Sequence, residues 1–238
     1  MKIALVADHL CLPSRADAYP GDPARRVLSL AQALAERDHA VTIYSRKDSP
    51  GAADDARWSG GERRAVQGAG LTIEHIQAGP QQRLSGEDLL PHIAAFAGRL
   101  ADRWRPSAPD VVHGHFWTSG LATLAGTRGL GIPVVQTFHS LGSDTRRDDR
   151  VAPRATRIRL EASIGRSVQA VLAGTSEERA GLGRLGVASA SVRIVPAGVD
   201  TTLFQPSGPT AERGRQPRIL VVAPPGVQPE LVTVLRAL

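Results

Sequence analysis

A chain of 238 residues with 42% apolar and only 4% aromatic residues has material for one large domain, with a core built mainly from Ala, Leu, Val and Ile. Its net charge of +6 is almost wholly arginine, since lysine occurs only at Lys2 and Lys47; that balance suits anionic partners such as phosphates or sugar nucleotides, or reflects arginines that simply solvate helix faces. The single cysteine, Cys11, leaves no intramolecular disulfide and no thiolate zinc site, and no apolar run approaches the roughly 20 residues of a membrane span.

Ile3 to Ala7 reads as a first buried strand, and its apolar stretch is too short for a signal peptide, so a cytoplasmic chain is expected. A loop rich in Pro, Ser and Gly follows to Asp22. Ala24 to Arg37 is then an amphipathic helix, with Val27, Leu30, Ala31 and Leu34 on one face. Val41 to Ser45 is a second strand running into basic Arg46-Lys47. The chain thus opens β-α-β with strands that are apolar without alternation, which argues for a parallel sheet covered on both faces.

Asp48 to Gly70 is polar and irregular, a loop with a short excursion, and Leu71 to Ile76 is the next strand. Gly86 to Arg103 is expected to be helical, with Leu89, Leu90, Ile93, Phe96, Ala97 and Leu100 on one face. Asp110 to Gly142 then reads as strand, helix, strand. Val111-Val112 ends in His113 and His115, Thr118 to Arg128 is a small-residue helix with a Ser/Thr start, and Pro133 to Phe138 ends in His139. Asp148 to Ser167 is a basic helix, Ala170 to Ala173 a strand, Glu177 to Leu185 a helix capped by Ser176, and Val192 to Val195 another strand. Residues 205–217 read as a linker. Arg218 to Ala223 with the helix starting at Glu230 reads as the first βα unit of an incomplete second domain.

Ligands of open parallel α/β sheets bind outside the carboxyl ends of the strands, where the three histidines fall. Residues two apart on a strand project to the same side, so His113 and His115 form a pair. Three readings stay open for it: a metal site completed by Asp8, His9 or His139, a satisfied structural pair, or a polar pair facing a substrate hydroxyl or phosphate. The loop Tyr19 to Pro23 before the first helix is either a phosphate-approaching glycine turn or a plain strand-to-helix turn; it has neither G-x-G-x-x-G nor G-K-[ST]. The arginines from Arg146 to Arg166 are interrupted by Asp148, Asp149 and Glu161 and lack interleaved aromatics, so no nucleic acid is expected.

Four segments, RDHAVTIYS, DVVHGHFWTSG, GIPVVQTFHSLG and VRIVPAGVDTTLF, in this order and spacing, resemble the N-terminal domain of the retaining glycosyltransferases of glycosyltransferase family four, from residue 1 to about 204. The resemblance implies a Rossmann-like, doubly wound parallel sheet as the acceptor-side domain of a GT-B fold. It implies transfer of a sugar from a nucleotide-sugar donor to a small hydroxylated or phosphorylated acceptor, with no metal or other cofactor. By the same resemblance His115 lies at the reacting sugar, and His139, Ser140 and Gly142 contact an acceptor or phosphate. Gly21 matches the first glycine of a loop that approaches a phosphate, and Gly198 falls in a segment tied to the donor.

The chain departs from the family pattern in several places. Asp22 replaces the second loop glycine, and Arg26 replaces a histidine near the start of the first helix. The segment from Ala223 to Pro229 lacks the family's Arg and Lys, and no E-x7-E pair occurs. Those cations neutralise a leaving diphosphate, so a donor side from further sequence or a separate polypeptide is expected. The alternative is a non-catalytic sugar- or phosphosugar-binding module. The basic helix gives a peripheral contact with anionic lipid as a further expectation.

Overall fold

A computed structural model describes residues 1–8, 23–48, 63–65, 70–143, 154–202 and 204–208. The chain divides into a larger unit, Met1–Leu12 with Pro23–Ala197, and a smaller one, Pro13–Asp22 with Gly198–Leu238. The expected βα unit at 218–238, and Gly21 and Asp22 in the first loop, lie outside the described residues. So do residues 209–217 of the linker.

The larger unit runs β1 (Lys2–Ala7), α1 (Pro23–Ala35), β2 (Ala40–Arg46), β3 (Arg63–Ala65), β4 (Leu71–Ile76), α2 (Ile93–Trp104), β5 (Val111–His115), α3 (Trp117–Gly126), β6 (Val134–Thr137), α4 (Arg154–Ser167), β7 (Ala170–Ala173), α5 (Ser176–Arg184) and β8 (Val192–Ile194). The strands form one sheet in the order β3-β4-β2-β1-β5-β6-β7-β8. Seven are parallel; β3 alone pairs antiparallel, with β4. β3 is the short excursion expected in the polar stretch after residue 48.

The unbroken apolar run of β1 is explained by the two faces it serves. Ile3, Leu5 and Ala7 of β1 pack with Val27 and Ala31 of α1, while Ala4 and Val6 pack with Phe96, Leu100 and Trp104 of α2. A third cluster joins Val134, Phe138, Ile164, Val171 and Leu182 beneath α4 and α5. After β4 the chain crosses back over β1 to start β5. The order therefore reverses between β1 and β5, where such sheets open a crevice at the strands' carboxyl ends. The parallel sheet covered on both faces is as the sequence predicts.

Three local expectations are corrected. The helix expected from Gly86 begins at Ile93, preceded by a 3-10 turn over Leu90–His92 that contains Pro91. Proline lacks an amide donor and restricts the residue before it, so the regular helix starts just after it. Helix α5 is capped by Thr175, whose hydroxyl accepts from the Glu178 amide at 3.1 Å, so Ser176 is the first helical residue. Helix α3 has no side-chain cap of its own: Thr118 and Ser119, read as its start, lie inside its first turn and donate their hydroxyls elsewhere.

In the smaller unit, Asp200 accepts from the amide and hydroxyl of Thr202 at 2.9 and 2.6 Å, an Asx-type turn. Gly198 stands exposed just before it, with open space where a side chain would project.

Candidate functional site

The site is built from the carboxyl ends of β1, β5 and β6. Registers Ala7↔His115 and His115↔Thr137 bring these ends level. One residue past β1, Asp8 is fully buried and turned toward α3. Its carboxylate accepts from the Thr118 hydroxyl at 2.8 Å and the Ser119 hydroxyl at 2.5 Å, and its own amide donates to Ser119 Oγ at 2.8 Å. A carboxylate at a helix N-terminus is favoured by the dipole. The first strand thus supplies the anion that α3 lacks at its own start.

His113 and His115 do project to one side, with ring centroids 4.0 Å apart. His113 Nε2 lies 2.8 Å from the Thr137 hydroxyl. His115 Nδ1 lies 3.1 Å from His139 Nε2, and His139 packs on Phe116 with centroids 4.8 Å apart. The structure therefore joins all three sequence-predicted histidines across β5 and β6. Their degree of burial differs: His115 is 2% exposed, whereas His139 is half-buried and forms the outer member of the pair. His115 Nε2 is buried without a hydrogen-bond partner among the described residues.

Burial is the main force on these rings. It lowers the His113 pKa to about 3, helped by His139, and holds His115 well below the ordinary histidine range, helped by the charges its two neighbours would carry. His139 is lowered to about 4, first by burial and then by the positive charge of Arg26 on α1. All three are neutral at pH 7, so the contact between His115 and His139 has one N–H donor and one lone pair. Whichever ring donates, His115 Nε2 is left as a single donor or acceptor wanting a partner.

The loop after β6 is tied down from α4. Glu161, fully buried, accepts from the Gly142 amide through both oxygens, at 2.8 and 3.1 Å, and from Arg157 Nε at 2.7 Å. Arg157 also donates to the Ser140 carbonyl and hydroxyl at 2.8 and 3.1 Å. Ser140 and Gly142 thus come beside His139, with the Gly142 amide already engaged. Burial raises the Glu161 pKa, against its amide and arginine partners. On the far side of β1, the buried Arg46 donates to the Pro80 and Gln82 carbonyls at 2.7 and 2.6 Å, fixing the loop that follows β4.

The sequence reading missed Gln136 and the Arg157–Glu161 pair as parts of this site. Each carried a signal. Gln136 is a polar residue following the apolar Val134 and Val135 within one short strand, and Arg157 and Glu161 stand four apart on a helix. Among the described residues no three of His, Cys, Asp or Glu are placed to hold a metal ion.

Residues 23–203 match the family model described as Glycosyltransferase Family 4. Among curated proteins the chain is 29% identical over 191 residues to D-inositol 3-phosphate glycosyltransferase of Nocardiopsis dassonvillei, covering 76% of this chain and 42% of that protein. The protein of the same name in Frankia alni is 33% identical over 154 residues, 61% of this chain and 38% of its own. Among solved structures, sucrose-phosphate synthase from Thermosynechococcus elongatus superposes with a TM-score of 0.67 at 22% identity, over 87% of this chain and 50% of that one. The chain spans less than half the length of the two curated relatives. With three quarters of its residues inside one family model, on the sheet that the structural neighbour shares, the chain belongs to Glycosyltransferase Family 4.

Proposed function

We propose that this chain forms the acceptor side of a retaining glycosyltransferase that moves a sugar from a nucleotide-sugar donor to a small hydroxylated or phosphorylated acceptor. The observation that carries the reading is the contact between His115 and His139, two uncharged imidazoles at the carboxyl ends of β5 and β6. A neutral imidazole both donates and accepts, so it can hold a sugar hydroxyl in one orientation while the bond at the anomeric carbon changes. In this reading His115 is the residue at the reacting sugar, and His139, the more open ring, contacts the acceptor or its phosphate. Arg26 adds a positive charge beside His139, which suits an anionic group on the acceptor or donor.

Ser140 and Gly142 shape the loop that borders the acceptor, and Gly21 and Gly198 belong to the phosphate and donor side of the same proposal. The names of the inositol-phosphate relatives support a phosphorylated polyol as acceptor. A peripheral contact with anionic lipid through the exposed Arg159 and Arg166 of α4 is part of the reading. It is checked by liposome co-sedimentation at two salt concentrations, where absent or salt-independent binding removes it. No helix among the described residues is long and apolar enough to cross a membrane.

The test is calorimetric titration of the purified chain with inositol phosphates and with nucleotide sugars, wild type beside His139→Ala. Binding of the phosphorylated polyol that is lost in His139→Ala is expected. Failure to bind any phosphorylated or free polyol, or binding that His139→Ala leaves unchanged, overturns it.

A further inference from the structure

The ends of β5 and β6 hold a backbone arrangement that side chains ordinarily avoid. Phe116 sits at φ 70° and ψ 157°, a region populated almost only by glycine, and His139 sits at φ 62°. They are two of the three non-glycine residues with positive φ among the described residues, and their rings touch. Such conformations persist only where the surroundings over-determine them. Here the surroundings converge on one side chain. Gln136, fully buried in β6, donates from Nε2 to the Phe116 carbonyl and to the Thr137 carbonyl, each at 3.0 Å. Thr137 O also accepts from the Phe116 amide at 2.9 Å, and Phe116 O from the Gly120 amide at 3.0 Å.

The carboxamide occupies a slot kept clear by two glycines. A Cβ at Gly114 would come within 2.7 Å of Gln136 Oε1, and one at Gly120 within 2.6 Å of the same atom. β5, β6 and α3 are therefore all shaped around this one amide, which lies immediately behind the residues that carry His115 and His139.

We propose that Gln136 is a positioning residue: its carboxamide ties the end of β5 to the end of β6 and holds Phe116 and His139 in the strained turns that bring the His115 and His139 rings together. It touches no substrate and acts through the backbone of the two histidine-bearing turns. That role matters to transfer only if the histidine pair works as proposed above. The measurement below reads the pair with no substrate present, so the clamp and the function stand or fall separately.

The test is imidazole NMR of the purified chain, with the His115 and His139 signals assigned by single substitution. Gln136→Met keeps the length of the side chain and removes both donors. Its expected effect is loss of the His115–His139 contact, with ring nitrogen shifts moving to averaged values, and a His139 titration that moves from about 4 toward the ordinary histidine range. Gly120→Ala reaches the same end from the helix side, because its Cβ must displace the carboxamide while its helix propensity is favourable. It should reproduce the same shifts, and the double variant should add little beyond either single one. Should Gln136→Met fail to fold, Gly120→Ala decides alone. A residue that only packs would lower the melting temperature and leave the pair's nitrogen shifts and titration as in wild type; that result in the folded variant overturns the proposal.

Discussion

Arg26, on the first helix, places its positive charge close enough to His139, at the end of the sixth strand, to lower that histidine's affinity for a proton. Burial is the larger cause and the guanidinium the second. Replacing Arg26 with Gln should therefore raise the His139 pKa above about 4 while leaving it below the ordinary range. A histidine-resolved NMR titration measures this; an unmoved curve would mean that the two groups do not feel each other.

The three imidazoles make the fold sensitive to acid, and the sign is fixed. Each has a lowered pKa when folded, so the unfolded chain binds protons first as pH falls below about 6.5. Their contribution is complete above that value and is lost progressively as pH falls, down to about 3, its folded pKa, in the case of His113. For His113 alone the loss is on the order of 4 kcal/mol. Urea midpoints measured from pH 7.5 to pH 4 should fall steadily. The fall should be shallower in His113→Gln, and an identical slope would contradict the burial argument.

Removing the Asp8 carboxylate strands two buried hydroxyls, those of Thr118 and Ser119. An unsatisfied buried polar group costs about 1–3 kcal/mol. Asp8→Ala is expected to destabilise by roughly that amount or somewhat more, and Asp8→Asn by less, since its amide oxygen still accepts. Chemical denaturation measures both.

Glu161→Gln keeps the shape of the side chain but leaves Arg157, whose side chain is 31% exposed, without its anionic partner. Partial solvation of the arginine keeps the cost below that of a fully buried pair, at about 1–3 kcal/mol. The specific expectation is local: faster proteolysis or amide exchange around Ser140 and Gly142, since both anchor to this pair. Uniform destabilisation without a local change there would argue against the tether.

Thr175→Ala should cost about 1 kcal/mol, whereas Ser176→Ala should be nearly neutral. Thermal melts of the two variants separate the observed cap from the neighbour that the sequence suggests. The choice was not readable beforehand, because Thr175 and Ser176 are both good caps and the decision lies in which hydroxyl meets the Glu178 amide.

Much of the fold was legible for the opposite reason: the signals were redundant. The run Ile3–Ala7 is apolar on both faces because helices cover both, and that pattern admits few other arrangements. The histidines were legible as a group because strand ends in a parallel sheet converge on one edge. Their hierarchy was not. That His115 lies inside and His139 outside follows from the turns at Phe116 and His139, and no residue type announces a positive φ there. Gln136 stood out as a polar residue in an apolar strand, but what it binds did not, because its partners are main-chain carbonyls, which leave no trace in the sequence.

The link from Asp8 to Ser119 spans 111 residues, and β1 meets β5 over nearly the same distance along the chain. A ribosome adding about 5–20 residues per second would take roughly 5–20 s to supply the second partner. Once β2 has been made, the central strand has one neighbour and one open edge until β5 follows. Folding of this unit is thus scheduled by synthesis, and refolding of the intact chain, where those distant ends must find each other unaided, should be slow.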